Sequence, residues 1–357
     1  MPFSEALIDV AVKRYQRERD RYSKLAERVA EICRTDICEE NAIRAQVTFR
    51  SKTVKSFEGK LRRFSLQDTR NYQTVDEIFD SISDLAGVRV ATYRFEDCAL
   101  VESLLKKSFS DEIERSIRTE NKDKNLTNSN NFYRSIHSQV YLPDDELIGI
   151  YDNLDDISCE IQICTMISHV WNEIEHDIVY KPTIGSPSED ERFLLRALGQ
   201  NVRLGDEFIS RLISAFEKRT EQNEGPFADI HDFVTKLKEN FQINTPSLNS
   251  GHLFDQLKIM NINSIQKIKD CIGFFDGDLI RTKIESFNDY LRETSNDLKM
   301  SPDTSDILLI PLFNVKLAEI IESHKGRVGR GHGRPSRLYR LARRYQDYQN
   351  RGAQIRA

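Results

Sequence analysis

Asn131-Phe132-Tyr133-Arg134-Ser135-Ile136-His137 and, further on, Cys159-Glu160-Ile161-Gln162-Ile163-Cys164-Thr165 are the two stretches on which the reading turns. In the second, Ile157, Cys159, Ile161 and Ile163 fall on one side of an extended chain, with Ser158, Glu160 and Gln162 on the other. Tyr133, Ser135 and His137 share a side by the same alternation. Strands are therefore predicted over 133–142 and 157–165, with polar groups where an interior strand would carry aliphatics. Upstream, 47–50 and the β-branched run 88–93 read as two more strands. A weaker alternation places another over 113–119, and the polar, Asn-rich 120–131 reads as a loop.

Helical spacing surrounds these segments. Leu7, Ala11, Tyr15, Tyr22, Leu25, Val29 and Ile32 lie on one face of a helix over 5–32. Further helices are predicted over 56–63, 96–107 and 166–180. Thr74-Val75-Asp76-Glu77 is a capping box before Asp84. Ser186-Pro187-Ser188-Glu189 joins such a box to a proline and opens a long helix to about Gln222. Beyond Pro226 the pattern is helical throughout: 227–241, 259–275, 279–298 and 307–324. The predicted organisation is a strand-containing domain over 1–224, a helical domain over 225–324 and a basic Gly/Arg-rich tail over 325–357.

The 357 residues carry 52 Lys/Arg and 57 Asp/Glu, a net charge of -5. That balance hides an asymmetry. From Lys325 onward ten Lys/Arg face one acid, Asp347, so the tail is +9; the rest, 42 basic against 56 acidic side chains, is −14. Arginines interleaved with Tyr339, Tyr345 and Tyr348 suit RNA contact, a clamp on the acidic body, or a solvated basic end. Six cysteines form no CxxC pair and read as reduced thiols of a cytosolic protein. The longest apolar run, 307–313, contains Pro311 and is too short for a bilayer, so no membrane partner is expected. The oligomeric state is left open, a homo-oligomer included.

Candidate chemistry lies in four clusters. Arg50, Lys52, Ser56 and Lys60 bracket a strand end and a helix start, which makes either an anion site or a solvated basic face. Asp84 enters a buried strand and Glu160 sits within another. Two carboxylates on neighbouring strands can hold Mg²⁺ against phosphates. Tyr133 can stack on a base, and His137 can bond a ribose or phosphate. His169, Glu173 and His176 share a helix face, but their spacing is not that of HExxH.

The order of these pieces is more telling than any one of them. Arg-x-Lys-x3-Ser-x3-Lys at 50–60, Asp-Leu-Ala-Gly-Val-Arg at 84–89, Tyr-Arg-Ser-Ile-His at 133–137, Glu-Ile-Gln-Ile at 160–163, His169-x-Trp171-x-Glu173-x2-His176 and Tyr180-Lys181 together resemble the synthetase domain of the RelA/SpoT alarmone synthetases. The resemblance implies an α/β, nucleotidyltransferase-like fold, a mixed β-sheet flanked by helices, here with an all-helical C-terminal extension. It also implies ATP-dependent transfer of a diphosphate to the 3′-hydroxyl of GDP or GTP, giving a (p)ppGpp-type alarmone and AMP. By the same resemblance Arg50 and Arg89 sandwich the adenine, and Lys52, Ser56 and Lys60 hold the phosphates. Asp84 and Glu160 ligate Mg²⁺, with Glu160 also taking the hydroxyl proton. Tyr133 stacks on the acceptor base, beside His137 and Gln162.

Three positions depart from the family pattern. Phe132 stands where the family has Gly, Cys164 where it has Arg, and 128–131 where many members carry a lysine for the acceptor's 5′-phosphates. A toxic branch that similarly lacks such lysines pyrophosphorylates the tRNA 3′-end, so a translation-blocking toxin is the second reading. An inactive RNA-binding regulator is the third, against which the retained Arg50, Lys52, Asp84 and Glu160 speak.

Overall fold

The computed structural model describes residues 3–66, 70–109, 117–122, 132–180, 185–221, 225–294, 298–324 and 335–356. The chain forms two compact units: residues 1–37 with 44–210, and residues 38–43 with 211–357.

The first unit is built on a five-stranded mixed sheet. Its strands are β1 (Ala45–Ser51), β2 (Ala86–Thr92), β3 (Arg118–Asn121), β4 (Ile136–Val140) and β5 (Cys159–Thr165), in the order β1-β2-β5-β4-β3. Among the described residues only β2 and β5 pair in parallel. Helix α1 (Glu5–Ile32) starts at Ser4, whose hydroxyl accepts from the Leu7 amide, and it buries Ile8, Ala11, Tyr15, Tyr22, Leu25 and Val29 as its spacing requires. Helices α2 (Val54–Leu66), α3 (Val75–Ser81) and α4 (Phe95–Ser108) follow. Tyr15, Tyr22, Phe57 and Phe79 form one aromatic cluster joining α1, α2 and α3. Helix α5 (Met166–Glu175) continues as a π-helical turn to Tyr180, and α6 (Glu189–Glu221) is the longest helix.

Several boundaries differ from the sequence pattern. The edge strand runs over 118–121 instead of 113–119, of which 113–116 lie outside the described residues. Glu120 and Asn121 are strand, not loop, because they pair with His137 and Ile136 of β4. β4 begins only at Ile136, since the preceding segment is bonded to α5 and β5: Asn172 Nδ2 donates to the Arg134 carbonyl, 3.1 Å, and Ser135 Oγ donates to the Ile163 carbonyl, 3.2 Å. Ser135 is thus buried support and does not share the solvent side with Tyr133 and His137. The capping box of α6 is Ser188 with Glu191, each bonding the other's backbone amide.

The second unit is all-helical: α7 (Ile230–Phe241), α8 (Ser250–Ile259), α9 (Ile265–Ile272), α10 (Gly277–Thr294), α11 (Leu309–Ser323) and α12 (Arg337–Arg356). Residues 38–43 belong to it. Gly251 N donates to the Glu40 carbonyl, and a Cβ at Gly251 would lie 2.7 Å from the Glu39 carbonyl oxygen. The sequence boundary at 224 therefore moves into α6, between 210 and 211.

The separate basic tail is also corrected. Leu338, Leu341, Ala342 and Tyr345 of α12 lie in the core of the helical unit with Phe287, Leu291 and Phe313. Arg337 makes a bidentate pair with buried Asp306, at 2.8 and 2.7 Å. The tyrosines proposed for RNA stacking are occupied: Tyr339 stacks on His324, while Tyr345 and Tyr348 pack on Phe287. Residues 325–334 lie outside the described residues. All six cysteines are free thiols. Among the described residues no helix is long and apolar enough to cross a membrane.

Leu341→Ala is expected to destabilise the helical unit by about 2–5 kcal/mol, as a buried leucine does when it leaves a cavity. Chemical denaturation followed by circular dichroism measures it. A change within about 0.5 kcal/mol, typical of a solvated surface position, would restore the tail reading.

Candidate active site

Sheet register assembles the site. Arg50, Gly87, Glu160 and Gln139 are paired in one row across β1, β2, β5 and β4, and Thr48, Arg89, Gln162 and His137 form the row two residues along. Residues two apart on a strand point the same way, so both rows face one side of the sheet. Arg50, Asp84, Arg89, Glu160 and Gln162 line a single cleft on that side.

Asp84 sits in the loop entering β2 and receives two ammonium groups. Lys52 Nζ lies 2.6 Å from Oδ2 and Lys60 Nζ 2.9 Å from Oδ1. Lys52 follows β1 and Lys60 lies on α2, so strand end and helix converge on one carboxylate. Burial alone would raise the Asp84 pKa, but the two lysines outweigh it and hold the carboxyl below its usual range. Burial lowers Lys52, and Asp84 offsets part of that. Behind this arm, the buried Tyr15 of α1 donates its hydroxyl to the Lys52 carbonyl, 2.7 Å. Thr53 Oγ1 accepts the Ser56 amide at 3.1 Å and so caps α2, while Ser56 itself is exposed on the first turn with its hydroxyl bonded to Thr53.

Glu160 is held from the other side. His137 Nδ1 is 3.0 Å from Oε1, and Gln162 Nε2 donates to Oε2 at 3.0 Å. Burial would raise the Glu160 pKa, but these two donors, His137 foremost, keep it lowered. With Nδ1–H donating to the carboxylate, Nε2 accepts from the Tyr133 hydroxyl at 3.1 Å. Burial, reinforced by Glu160, pushes the Tyr133 phenol upward, so it remains a donor. Lys122, just past β3, brings its ammonium within 3.4 Å of His137 Nδ1.

Arg89 is oriented by α5. Its NH2 donates to Glu173 at 2.6 Å, and its NH1 donates to His169 Nε2 at 3.1 Å. Burial and the neighbouring guanidinium lower the His169 pKa, which keeps the imidazole a neutral acceptor. His169 and Glu173 thus belong to the site as holders of Arg89.

Nine of the ten residues expected from sequence join this network or line the cleft, and Ser56 stands at its edge on α2. Reading by motif missed Tyr15, Thr53, Lys122 and Asn172. The i, i+4 spacing of His169 and Glu173, one turn beyond a strand that carries Glu160, is the signal that could have placed them over Arg89.

Two departures from the family pattern have structural answers. Phe132 packs edge-on against Trp171, and a Cβ on Gly199 of α6 would lie 2.3 Å from Phe132 Cγ, so the bulk at 132 is matched by its loss at 199. Cys164 is buried, and burial pushes its thiol up to about 12, leaving it neutral and unable to replace a guanidinium. The stretch 128–131 lies outside the described residues.

Comparison with known proteins gives this arrangement a family context. Residues 49–184 match the family described as the region found in RelA / SpoT proteins. That segment of the chain is similar to RelA/SpoT proteins. GTP pyrophosphokinase YwaC of Bacillus subtilis (strain 168) is 30% identical over 128 residues, 36% of this chain and 56% of that protein. GTP pyrophosphokinase YjbM of the same organism is 28% identical over 186 residues, 50% of this chain and 79% of that one. The chain thus spans little more than half the length of YwaC. Among solved structures, a GTP pyrophosphokinase family protein from Streptococcus pneumoniae covers 58% of this chain and 96% of its own at 21% identity, with a TM-score of 0.45. The small alarmone synthetase 1 of B. subtilis bound to pppGpp covers 57% and 98% at 23% identity, with a TM-score of 0.43.

Two outcomes follow for the strand-containing unit. Lys60→Met removes one of two cations from Asp84 and raises its pKa toward the ordinary value of about 3.9. The stabilisation from a depressed carboxyl is full above the unfolded pKa and is lost as pH falls through the folded one. The variant therefore shows a smaller rise of stability with pH on the acid side. Carboxyl NMR titration without divalent cation reads the shift, and an unmoved Asp84 would refute the assigned pairing. Gly199→Ala should cost about 1–3 kcal/mol through overpacking against Phe132. Added to Phe132→Ala it should cost less than alone, which a double-mutant cycle of denaturation midpoints detects.

Proposed function

We propose that this site transfers the β,γ-diphosphate of ATP to the 3′-hydroxyl of GDP or GTP, releasing AMP and a (p)ppGpp-type alarmone. The observation that carries the reading is two carboxylates in one cleft, both held ionised, Asp84 beneath two lysines and Glu160 beneath His137 and Gln162. The names of the two B. subtilis relatives support the same activity.

Each group has a task in that chemistry. Arg50 and Arg89, on adjacent strands of the cleft, would clasp the adenine between planar guanidinium groups. Lys52 and Lys60 would turn from Asp84 to the triphosphate, with the Ser56 hydroxyl beside them. The half-buried Tyr133 ring offers a surface for the acceptor base, and His137 and Gln162 hold the sugar side. Asp84 and Glu160 fit Mg²⁺, which binds one or two carboxylates plus substrate phosphates and keeps several waters. When bound it neutralises charge on the transferred group. The acceptor's 3′-oxygen attacks Pβ. The O3′–Pβ bond forms, the bond from Pβ to the bridging oxygen breaks, and that oxygen leaves with AMP. Glu160 takes the hydroxyl proton, a general-base role that its hydrogen-bonded orientation serves.

The purified chain, given ATP and Mg²⁺, is expected to release AMP with GDP or GTP. Asp84→Asn and Glu160→Gln should each lower turnover by at least roughly a hundredfold with circular dichroism unchanged. Tyr133→Ala should raise KM for the acceptor and leave that for ATP in place. AMP release with tRNA and with no free nucleotide would move the acceptor to an RNA 3′-end. Unchanged turnover in either carboxylate variant would remove the site.

A further inference from the structure

Arg134 follows Tyr133 directly and lies two residues before β4, where the sheet has no strand left to pair with it. Ile136 pairs with Ile163, so residue 134 falls opposite Thr165. There β5 ends, because the Thr165 side chain caps α5. The backbone N–H and C=O of Arg134 still need partners. Asn172 of α5 supplies both. Its Nδ2 donates to the Arg134 carbonyl at 3.1 Å, and its Oδ1 accepts from the Arg134 amide at 3.4 Å. A carboxamide carries the same donor and acceptor as a peptide group, so one buried side chain stands in for a ladder strand.

The neighbours of Tyr133 are anchored too. Phe132 packs edge-on against Trp171. The Arg134 guanidinium lies 3.2 Å from the Phe95 ring centroid and 3.9 Å from buried Asp206, which also accepts the Ser168 hydroxyl at 3.2 Å. Between these fixed residues the Tyr133 hydroxyl meets His137 Nε2 at 3.1 Å, and His137 Nδ1 lies 3.0 Å from Glu160. A continuous line thus runs from Asn172 through the Arg134 backbone, Tyr133 and His137 to Glu160. The same helix holds Arg89 through His169 and Glu173. At about 100° per residue Asn172 lies about 60° round the helix from His169, so α5 serves both sides of the cleft at once.

We infer that Asn172 is a positioning residue for the acceptor side. Through the Arg134 backbone it holds the Tyr133 ring in place and keeps the Tyr133 hydroxyl bonded to His137. The consequence for the acceptor rests on the proposed reaction; the hold on His137 does not. Asn172→Leu keeps the volume and removes both bonds, so it separates positioning from space-filling. The first reading is nitrogen NMR of the histidine rings in the full chain without substrate, with His137 assigned by its loss in His137→Gln. Tyr133→Phe deletes the hydroxyl and marks the His137 shift when that bond is absent. Asn172→Leu should move the His137 signal most of the way to that value. The second reading is kinetic. KM for GDP or GTP should rise on the order of tenfold, within the range set by one stacked base, with KM for ATP unchanged. A wild-type His137 signal in Asn172→Leu overturns the inference, as does an equal rise in both KM values. A wild-type chain that turns over neither nucleotide removes the proposed reaction, and the His137 signal then decides the positioning alone. Should Asn172→Leu fail to fold, Asn172→Ala is judged by the same two readings.

Discussion

Two ammonium groups meet one carboxylate at Asp84, and the cleft side of the first unit is arranged around that contact. Partial burial of a carboxylate disfavours its charge and pushes its pKa up. Lys52 and Lys60 prevent this from separate elements, a strand end and a helix, so the pair also fixes α2 against β2. In the proposed reaction each lysine would exchange Asp84 for the substrate's phosphates.

Much of what maintains this geometry lies outside residues 49–184, the part that matches RelA/SpoT proteins. Tyr15 of α1 holds the Lys52 carbonyl from behind. Buried Arg28, also on α1, donates twice to Glu146 and so ties the helix to the segment leading into β5. On the other flank Trp171 donates to the Leu195 carbonyl, and Gly199 makes room for Phe132 next to Tyr133. The N-terminal helix thus supports the Lys52 side of the cleft and α6 the Phe132–Tyr133 side.

The sheet and its functional face were legible because alternation is a strong local signal. Glu160 and Gln162 could be placed on one side of β5, and His137 on one side of β4, before any pairing was known, whereas Tyr133 precedes that strand. Strand order was not legible. The parallel pairing of β2 with β5, which puts Gly87 opposite Glu160, depends on contacts between residues over 70 positions apart. Support residues were hidden for a related reason. Asn172 and Tyr15 act through backbone carbonyls on other elements, and nothing in their local sequence announces that. Residues 38–43 were assigned to the wrong unit because no composition shift marks six residues that pack on Gly251.

The C-terminal helix shows how a correct observation can support the wrong inference. Arginine interleaved with tyrosine does describe residues 337–348, and it suits a nucleic-acid surface if the tyrosines face solvent. Their spacing argues otherwise. Leu338, Leu341, Ala342, Tyr345 and Tyr348 recur at three- and four-residue intervals, which on a helix is one stripe. Burial of that stripe turns the tyrosines inward, where Tyr345 donates to Asn314 and Tyr348 meets Ser286. The arginines are then divided by position on the helix. Arg337 becomes the partner of buried Asp306, while Arg343 stays exposed. A net charge summed over the segment cannot distinguish these fates, because it counts a guanidinium committed to the core and one facing water alike. Periodicity separates them, and it makes this helix part of the fold that its charge had suggested it merely decorated.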